Sequence, residues 1–265
     1  MNQKFQTFLF FFSLLILVPA SLCRAEVSIS VSPIRVEQIG KPGDRGTDMV
    51  SVINAGSDPT RLKVSVMDWT LTKEGTPTFL KPGGAPYSCA SWIRVNPVDF
   101  RISHGQTREV RYTVTIPEGT PEGGYRAAIV FETVPDVVPG EKIRRVFIRG
   151  RIATILYTVV GKPAAQGHAN SLKVEIKKDG ADFTLTLQNT GKVHFRTKGV
   201  ITANDSNGQK VFDVQIPDDP VLPQSERHVK IHYDKPIPKG KYTAMAVVDI
   251  GVPELIGAEA TFSVE

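Results

Sequence analysis

Few residues in this sequence have the types and spacing that catalysis requires. The chain has no Gly-x-Ser-x-Gly nucleophile motif, no glycine-rich phosphate loop and no pair of closely spaced cysteines. His228 and His232 lie four positions apart, so on a strand they share one face and could bind a metal ion together. A protein zinc site usually adds a third ligand, and two exposed strand histidines are therefore the favoured interpretation. The sequence predicts a protein that is not an enzyme and has no metal and no cofactor.

The segment Asn204–Gly208, Asn-Asp-Ser-Asn-Gly, resembles a fragment of a calcium-binding loop. The loop would need a closing glutamate at a fixed distance, and none stands there. Asn-Gly between two strand-like segments is the strongest short signal of a β-hairpin. We expect a turn at this position.

One segment could act on a partner protein instead of a small substrate. Arg144–Tyr157 is long for a sandwich strand and alternates apolar with basic residues. The apolar positions of one face are Val146, Ile148 and Ile152. The basic positions of the other face are Arg145, Arg149 and Arg151. The arginines could simply protect an edge strand from aggregation, or the segment could be a strand that pairs with a partner's sheet. The alternation alone favours neither interpretation.

The segments that would position these residues have the two-residue period of β-strands and are separated by many of the 19 prolines and 22 glycines. The predicted strands of the first half are Val27–Glu37, Asp48–Asn54, Arg61–Leu71, Ser91–Ile102, Arg108–Pro117, Gly124–Thr133 and Arg144–Val160. Those of the second half are Ser171–Lys178, Asp182–Asn189, Lys198–Ala203, Lys210–Gln215, Glu226–Tyr233, Gly240–Asp249 and Glu259–Val264. Gly161–Asn170 between them is small, polar and typical of a linker.

A weak internal repeat relates the two halves. Three pairs of segments occur in the same order: Asn54–Gly56 with Asn189–Gly191, Gln106–Tyr112 with Gln224–Lys230, and Gly124–Val130 with Lys241–Val247. Two copies of one fold are the simplest explanation. The predicted fold class is all-β, with two immunoglobulin-like β-sandwich domains in tandem at residues 26–161 and 162–265.

The first 25 residues have the order of a secretory signal peptide. Lys4 precedes the apolar run Phe8–Val18, and small residues lead to a predicted cleavage after Ala25. No second apolar stretch is long enough for membrane insertion, and we expect a periplasmic location. Cys89 is then the only cysteine of the mature chain, and a small buried apolar role is favoured over a reactive thiol. The net charge of +5 does not favour binding to nucleic acid.

Two stretches of the first half resemble the periplasmic pilus chaperones of the PapD type. Asn96–Tyr112 has the family's order of a proline, an apolar strand, a glycine turn and a basic and apolar strand. Pro121–Pro135 stands where the family has a signature strand that ends in proline, and Arg144–Tyr157 stands where it has its subunit-binding strand. The resemblance covers about Val27–Gly161, and the second half is similar only as another sandwich.

The resemblance implies a role for Arg35. The family uses an arginine on its first strand and a lysine on its last strand to hold the carboxyl end of a pilin, and Arg35 stands at the arginine's position. The lysine has no counterpart, because Ala153 or Thr154 falls there, and Arg151 is the candidate substitute. The alternative interpretation of Arg35 is an ordinary exposed arginine.

The function implied by this resemblance is a periplasmic chaperone that binds fimbrial or related surface subunits by donor-strand complementation. Val146, Ile148 and Ile152 would fill the groove of the subunit, and Arg35 and Arg151 would hold its carboxyl end. The implied partners are pilin-like or other β-sandwich subunits, with an outer-membrane usher as a further candidate. The alternative is a structural or adhesive surface protein with two immunoglobulin-like domains. A chaperone should hold Arg35 in a cleft between its domains, whereas a spacer should be extended.

Overall fold

The computed structural model describes residues 28–135 and 149–265. The described residues form β-strands and one short 3-10 helix, Ala90–Trp92. Within these ranges, no helix has the length and apolar character needed to cross a membrane. The predicted signal peptide and the predicted binding residues Val146 and Ile148 lie outside the described residues.

The first half of the chain forms a sandwich of two sheets. Its strands are β1 (Ile29–Ser32), β2 (Arg35–Gly40), β3 (Arg45–Asn54), β4 (Thr60–Leu71), β5 (Pro77–Leu80), β6 (Ile93–Asn96), β7 (Asp99–Ile102), β8 (Thr107–Thr115), β9 (Gly123–Val134) and β10 (Arg151–Val160). One sheet has the order β1-β3-β8-β6, and the other has the order β2-β10-β9-β4-β5 with β7 also paired to β4. Alternate side chains of both sheets point inward and form the core, with Val50, Leu62, Val110, Ile129, Phe131 and Leu156 among its most buried members.

Two predicted strands are each divided by a proline. Val27–Glu37 is two strands, because β1 pairs with β3 in one sheet while β2, after Pro33, pairs with β10 in the other. Ser91–Ile102 contains the last two residues of the 3-10 helix, then β6 and β7, and the division between the two strands lies at Pro97. A proline has no N–H group for a sheet ladder, so the chain can change sheets there. The change of sheet at Pro33 places Arg35 at the start of β2.

The second half forms the other sandwich. Its strands are β11 (Gly167–Lys177), β12 (Gly180–Asn189), β13 (Phe195–Arg196), β14 (Lys198–Asp205), β15 (Lys210–Ile216), β16 (Pro220–Val221), β17 (Glu226–Tyr233), β18 (Gly240–Asp249) and β19 (Ile256–Val264). They form sheets of the orders β11-β12-β17, β13-β16 and β15-β14-β18-β19 around a core that includes Phe183, Leu185, Leu187, Ile201 and Val229. The predicted linker is shorter than expected, because β11 already begins at Gly167. The expected turn at Asn204–Gly208 is confirmed and joins β14 to β15.

The internal repeat corresponds to repeated geometry. Asn54 and Asn189 end strands in the two sandwiches, and both are fully buried. Each donates two side-chain hydrogen bonds to carbonyl oxygens, and each accepts one from the backbone of a glycine two positions later. The hydroxyl groups of Tyr125 and Tyr242 each donate to the carbonyl oxygen of the residue four positions before. A tyrosine with this upstream bond is characteristic of immunoglobulin-like sandwiches. The protein therefore has two immunoglobulin-like β-sandwiches in tandem.

Candidate functional site

Within residues 28–135 and 149–265, strand β10 has one edge that is only half paired. It pairs with β9 along its whole length, from Arg151 to Val160. On its other side the parallel strand β2 covers Ile155–Val160 alone, and the N–H of Ile155 donates to the carbonyl oxygen of Ile34 at 2.9 Å. Backbone groups of alternate residues point to the same edge, so Arg151 and Ala153 present their N–H and C=O groups to the uncovered side. An unpaired edge of this kind is a template for a strand from another chain.

The described part of the predicted strand Arg144–Val160 begins at Arg151, since Arg149 and Gly150 are not in a strand. Gly150 instead makes a local contact with the end of β9, where its N–H donates to Thr133 Oγ1 at 2.8 Å. Residues 144–148 lie outside the described part of the chain.

The two faces of β10 have different surroundings. Leu156 is buried in the core of the first sandwich. Ile152 is half-buried against that core and also lines a cleft beside β10. Ala153, Ile155 and Tyr157 lie on the opposite face, where they pack with Trp69. This second face points toward the other sandwich, because Leu222 belongs to the same apolar cluster.

A cleft of about 940 Å³ lies beside this face. Its walls are β10, the β4–β5 hairpin and the β13–β16 region of the second sandwich. The apolar side chains that line it include Trp69, Leu71, Pro77, Phe79, Ala153, Ile155 and Tyr157. Trp69 and Tyr157 are buried at its base, with their ring centroids 5.6 Å apart in an edge-to-face arrangement. The volume lies within the usual range of protein binding sites.

Arg35 lies in this cleft, next to the point where the free edge of β10 ends. Its side chain is 43% exposed, and its guanidinium contacts Glu37 at 3.3 Å and Asp218 at 3.8 Å. Both distances exceed those of strong charge-assisted hydrogen bonds. Asp218 binds Arg196 much more closely, with Nε to Oδ1 at 2.7 Å, and this hydrogen bond lowers the pKa of Asp218. Arg35 is therefore held loosely and can bind another carboxylate.

The other two arginines of the cleft differ in their partners. Arg151 already pairs across the strands with Glu132, with Nε to Oε2 at 2.5 Å. Arg196 comes from β13 of the second sandwich and lines the same cleft. Arg196 is not predicted by the sequence, because no local pattern indicates that a two-residue strand in the other half of the chain reaches this site. Ala153 also lines the cleft, while Thr154 is buried and donates to the Pro33 carbonyl oxygen at 2.8 Å.

The tip of the β4–β5 hairpin connects the first sandwich to the second. The Lys73 ammonium group lies 2.8 Å from Glu226, and the Lys73 carbonyl oxygen accepts hydrogen bonds from the His228 N–H at 2.7 Å and from Arg227 Nη1 at 3.1 Å. A side chain at Gly75 would meet Arg227, because its Cβ would lie 2.0 Å from Nη2. These contacts fix the hairpin as one wall of the cleft.

The sandwiches also contact each other directly. Tyr157 of β10 stacks on His194 with ring centroids 4.0 Å apart, and the Gly124 N–H donates to the Lys192 carbonyl oxygen at 2.7 Å. A Cβ at Gly124 would lie 3.0 Å from the Cα of Val193. This close approach explains why position 124, the second residue of β9, is a glycine.

His228 and His232, the candidate metal pair, each have a carboxylate partner of their own. His232 is exposed and bonded to Asp182 at 2.7 Å, whereas His228 is half-buried under the hairpin tip, 3.2 Å from Glu226. Among the described residues, no group of three His, Cys, Asp or Glu side chains is arranged to hold a metal ion. Cys89 is fully buried, and this burial raises the pKa of its thiol to about 12. The expected apolar role of Cys89 is confirmed.

The comparisons with known proteins identify similar structures only. No protein-family model matches the chain, and no curated protein matches it. A complex described as a chaperone–tip adhesin complex of CFA/I fimbriae biogenesis has 13% identity and a TM-score of 0.47, covering 89% of this chain and 98% of its own. The class 5 fimbriae chaperone CfaA has 13% identity and a TM-score of 0.46, covering 90% and 100%. The Salmonella enterica SafA pilin in complex with the SafB chaperone has 15% identity and a TM-score of 0.43, covering 90% and 97%. At these values the likeness carries no functional conclusion, and the fold assignment depends on the strand pairing described above.

Proposed function

We propose that this protein is a periplasmic chaperone that binds pilin-like or related surface subunits whose own sandwich lacks a strand. The observation that carries the proposal is the half-free edge of β10, which ends at Arg35 in the cleft between the sandwiches. The free backbone groups of Arg151 and Ala153 would hydrogen-bond to an edge strand of the client. β10 would thereby complete the client's sheet by strand addition.

The parallel arrangement of β2 and β10 predicts the direction of the client strand. β2 begins at Arg35, beside Ile155, and runs in the same direction as β10. A client strand that lies along Arg151–Thr154 in that direction would have its carboxyl terminus at Arg35. A client strand of the opposite direction would present a positively charged amino terminus, which Arg35 would repel. Capture of a carboxylate therefore requires parallel pairing.

Two arginines would hold the carboxylate. Arg35 can donate two parallel hydrogen bonds, which fix both the position and the orientation of a carboxylate group. Arg196 faces the same cleft and is a better second ligand than Arg151, because Arg196 and Arg35 already share one carboxylate, that of Asp218, at 2.7 Å and 3.8 Å. A client carboxylate that replaced Asp218 would therefore contact both guanidinium groups. Arg196 would take the place of the lysine that the first sandwich lacks.

Apolar side chains would supply most of the free energy of capture. Ile152 is half-buried at the free edge, and Val146 and Ile148 precede it on the same alternating pattern. We propose that these three residues enter the groove of the client, as the sequence predicts. Burying one such side chain contributes about 1.5–3 kcal/mol. This strand addition would draw on the free energy of folding of the client and would require no nucleotide.

The contacts between the sandwiches support this proposal over an extended spacer. The stacking of Tyr157 on His194 and the ion pair of Lys73 with Glu226 hold the two sandwiches together around the cleft. An adhesive or structural spacer has no need for a cleft lined with arginine or for a half-free strand that ends there.

The test is affinity purification of the tagged mature protein from the periplasm, with mass spectrometry of the proteins that accompany it. We expect a stoichiometric, small, β-rich partner with the wild type. Ala153→Pro removes the N–H group that faces the free edge and should reduce the recovered partner at least tenfold, while Ala153→Ser keeps that N–H group and should retain it. Circular dichroism checks that both variants fold. Recovery of the wild type alone, or equal recovery with Ala153→Pro, would contradict the proposal.

A further inference from the structure

The β4–β5 hairpin turns the cleft into a pocket with three walls. Its tip is bonded to the second sandwich through Lys73, and its strands carry Leu71 and Phe79 into the cleft opposite β10. Both side chains are half-buried, and both pack against the apolar cluster of Trp69 and Tyr157. The pocket therefore has a buried aromatic base and apolar walls that still face open space.

The arginines of the lining favour an anionic occupant. Arg35, Arg151 and Arg196 line the pocket, and no Asp or Glu is among its lining residues. Arg151 and Arg196 are closely paired with Glu132 and Asp218, so Arg35 is the arginine most available to a new anion. An occupant that suits both features has a carboxylate next to a large apolar group. A polypeptide that ends in an aromatic or branched apolar residue has this chemistry, because its last side chain and its terminal carboxylate share one Cα atom.

The register of the free edge places that last residue. Ile34, one residue before the Arg35–Ile155 pair, falls opposite Thr154, and its carbonyl oxygen already accepts from the Ile155 N–H, so a parallel client strand can reach only the position opposite Ala153. Residues paired across a parallel ladder have side chains on the same face of the sheet. Ala153 lies on the cleft face, and the last client side chain would therefore enter the pocket. The carboxyl carbon of that residue would lie about 1.5 Å from its Cα atom, on the side toward Arg35.

We propose that this pocket selects clients whose carboxyl-terminal residue is aromatic or large and apolar, with Leu71 and Phe79 as specificity-determining residues. The inference depends on the proposed capture of a client's carboxyl end and adds the identity of the residue captured. The second residue from the end would face the core side of the sheet, so its chemistry would be independent of this pocket.

The test uses synthetic peptides, since it needs no identified client. Short acetylated peptides of alternating threonine and valine are made with three endings: phenylalanine with a free carboxylate, alanine with a free carboxylate, and phenylalanine amide. Their dissociation constants for the mature protein are measured by calorimetry. We expect the phenylalanine acid to bind roughly tenfold tighter than the alanine acid, as the burial of a large apolar side chain implies. Phe79→Ala should abolish this preference, whereas Leu255→Ala, at an exposed apolar residue of the second sandwich, should keep it.

The outcomes separate this inference from the proposed function. Equal binding of the phenylalanine and alanine acids, with weaker binding of the amide, would overturn the side-chain pocket and leave the carboxylate anchor in place. Equal binding of acid and amide would contradict the anchor at Arg35. No binding of any peptide would overturn both. The wild-type comparison decides the question even where Phe79→Ala fails to fold.

Discussion

Asn54 and Asn189 show how single residues fix corresponding corners of the two sandwiches. The side-chain amide of Asn189 donates to the carbonyl oxygens of Val193 and Val221, both at 2.9 Å, and its Oδ1 accepts from the Gly191 N–H at 2.8 Å. Asn54 makes the equivalent three bonds. A buried backbone group without a partner is costly, and asparagine satisfies three such groups at once.

We predict that Asn189→Ala lowers the free energy of unfolding by about 2–4 kcal/mol, because it leaves buried carbonyl and N–H groups without partners. Urea denaturation of the mature protein measures this change. Asn207→Ala, at an exposed turn position, should change the stability by less than about 0.5 kcal/mol. Equal effects of the two substitutions would contradict the structural role of Asn189.

Residue-scale features differ in how far they could be predicted from sequence. The Asn-x-Gly repeat is visible in the sequence. Its structural cause could not be predicted, because the asparagine side chains bind carbonyl groups from distant parts of the chain. Arg35 could be selected by a motif that includes its neighbours in sequence. Arg196 and His194 could not, because they reach the cleft only through the packing of one sandwich on the other.

Among the secondary-structure elements, the β4–β5 hairpin is not predicted by any pattern in the sequence. β5 has only four residues, begins with a proline and lies within a segment rich in glycine and proline. Long strands with clear alternation were predicted well, and β17 and β18 have the predicted bounds. The two-residue strands β13 and β16 were missed as well, because two residues carry no periodic pattern.

Gly75 at the tip of this hairpin and Gly83, three residues after the end of β5, form a matched pair. Gly75 and Gly83 both have a left-handed backbone, with φ of +85° and +83°, but only Gly75 faces another side chain, that of Arg227. We predict that Gly83→Ala costs about 1 kcal/mol from backbone strain alone. Gly75→Ala should cost about 1–2 kcal/mol more, because the new methyl group displaces a largely buried guanidinium that is bonded to Asp219 at 2.6 Å.

Hydrogen exchange identifies the cause of this difference. The His228 N–H donates to Lys73 at the hairpin tip, so its exchange should become faster in Gly75→Ala and should not change in Gly83→Ala. Equal stability losses and unchanged exchange at His228 in both variants would show that the hairpin tip does not depend on this contact.

At the scale of the whole molecule, His194 makes the contact between the sandwiches sensitive to pH. Burial lowers the pKa of His194 to about 4, and the positive charges of Arg196, Arg126 and Arg35 act in the same direction. The ordinary pKa of histidine, 6.5, applies in the unfolded chain. Between these values the unfolded state binds a proton that the folded state does not, so stability falls as the pH is lowered from 6.5 toward 4.

We predict that protonation of His194 lowers the free energy of unfolding by about 1–3 kcal/mol between the two pKa values. His194→Phe keeps an aromatic ring against Tyr157 and removes the titration, so its stability should fall less. Carboxylates with lowered pKa values, such as Asp218 and Glu226, stabilise the folded state less as the pH falls. This loss is the same in the wild type and in His194→Phe, so it cancels in the comparison. Urea denaturation at a series of pH values measures the difference, and parallel curves would contradict this prediction.

Site-specific photocrosslinking in the periplasm can show whether a client's carboxyl end lies in the cleft at Arg35, as proposed. Ile34 is 69% exposed and lines the cleft, so p-benzoylphenylalanine in its place should react with whatever lies there. Val211, an exposed residue of the second sandwich, provides the control position. We predict that mass spectrometry finds adducts to the carboxyl-terminal peptide of a β-rich secreted subunit from position 34 and none from position 211. Adducts to internal or amino-terminal peptides, or the same adducts from both positions, would contradict the claim.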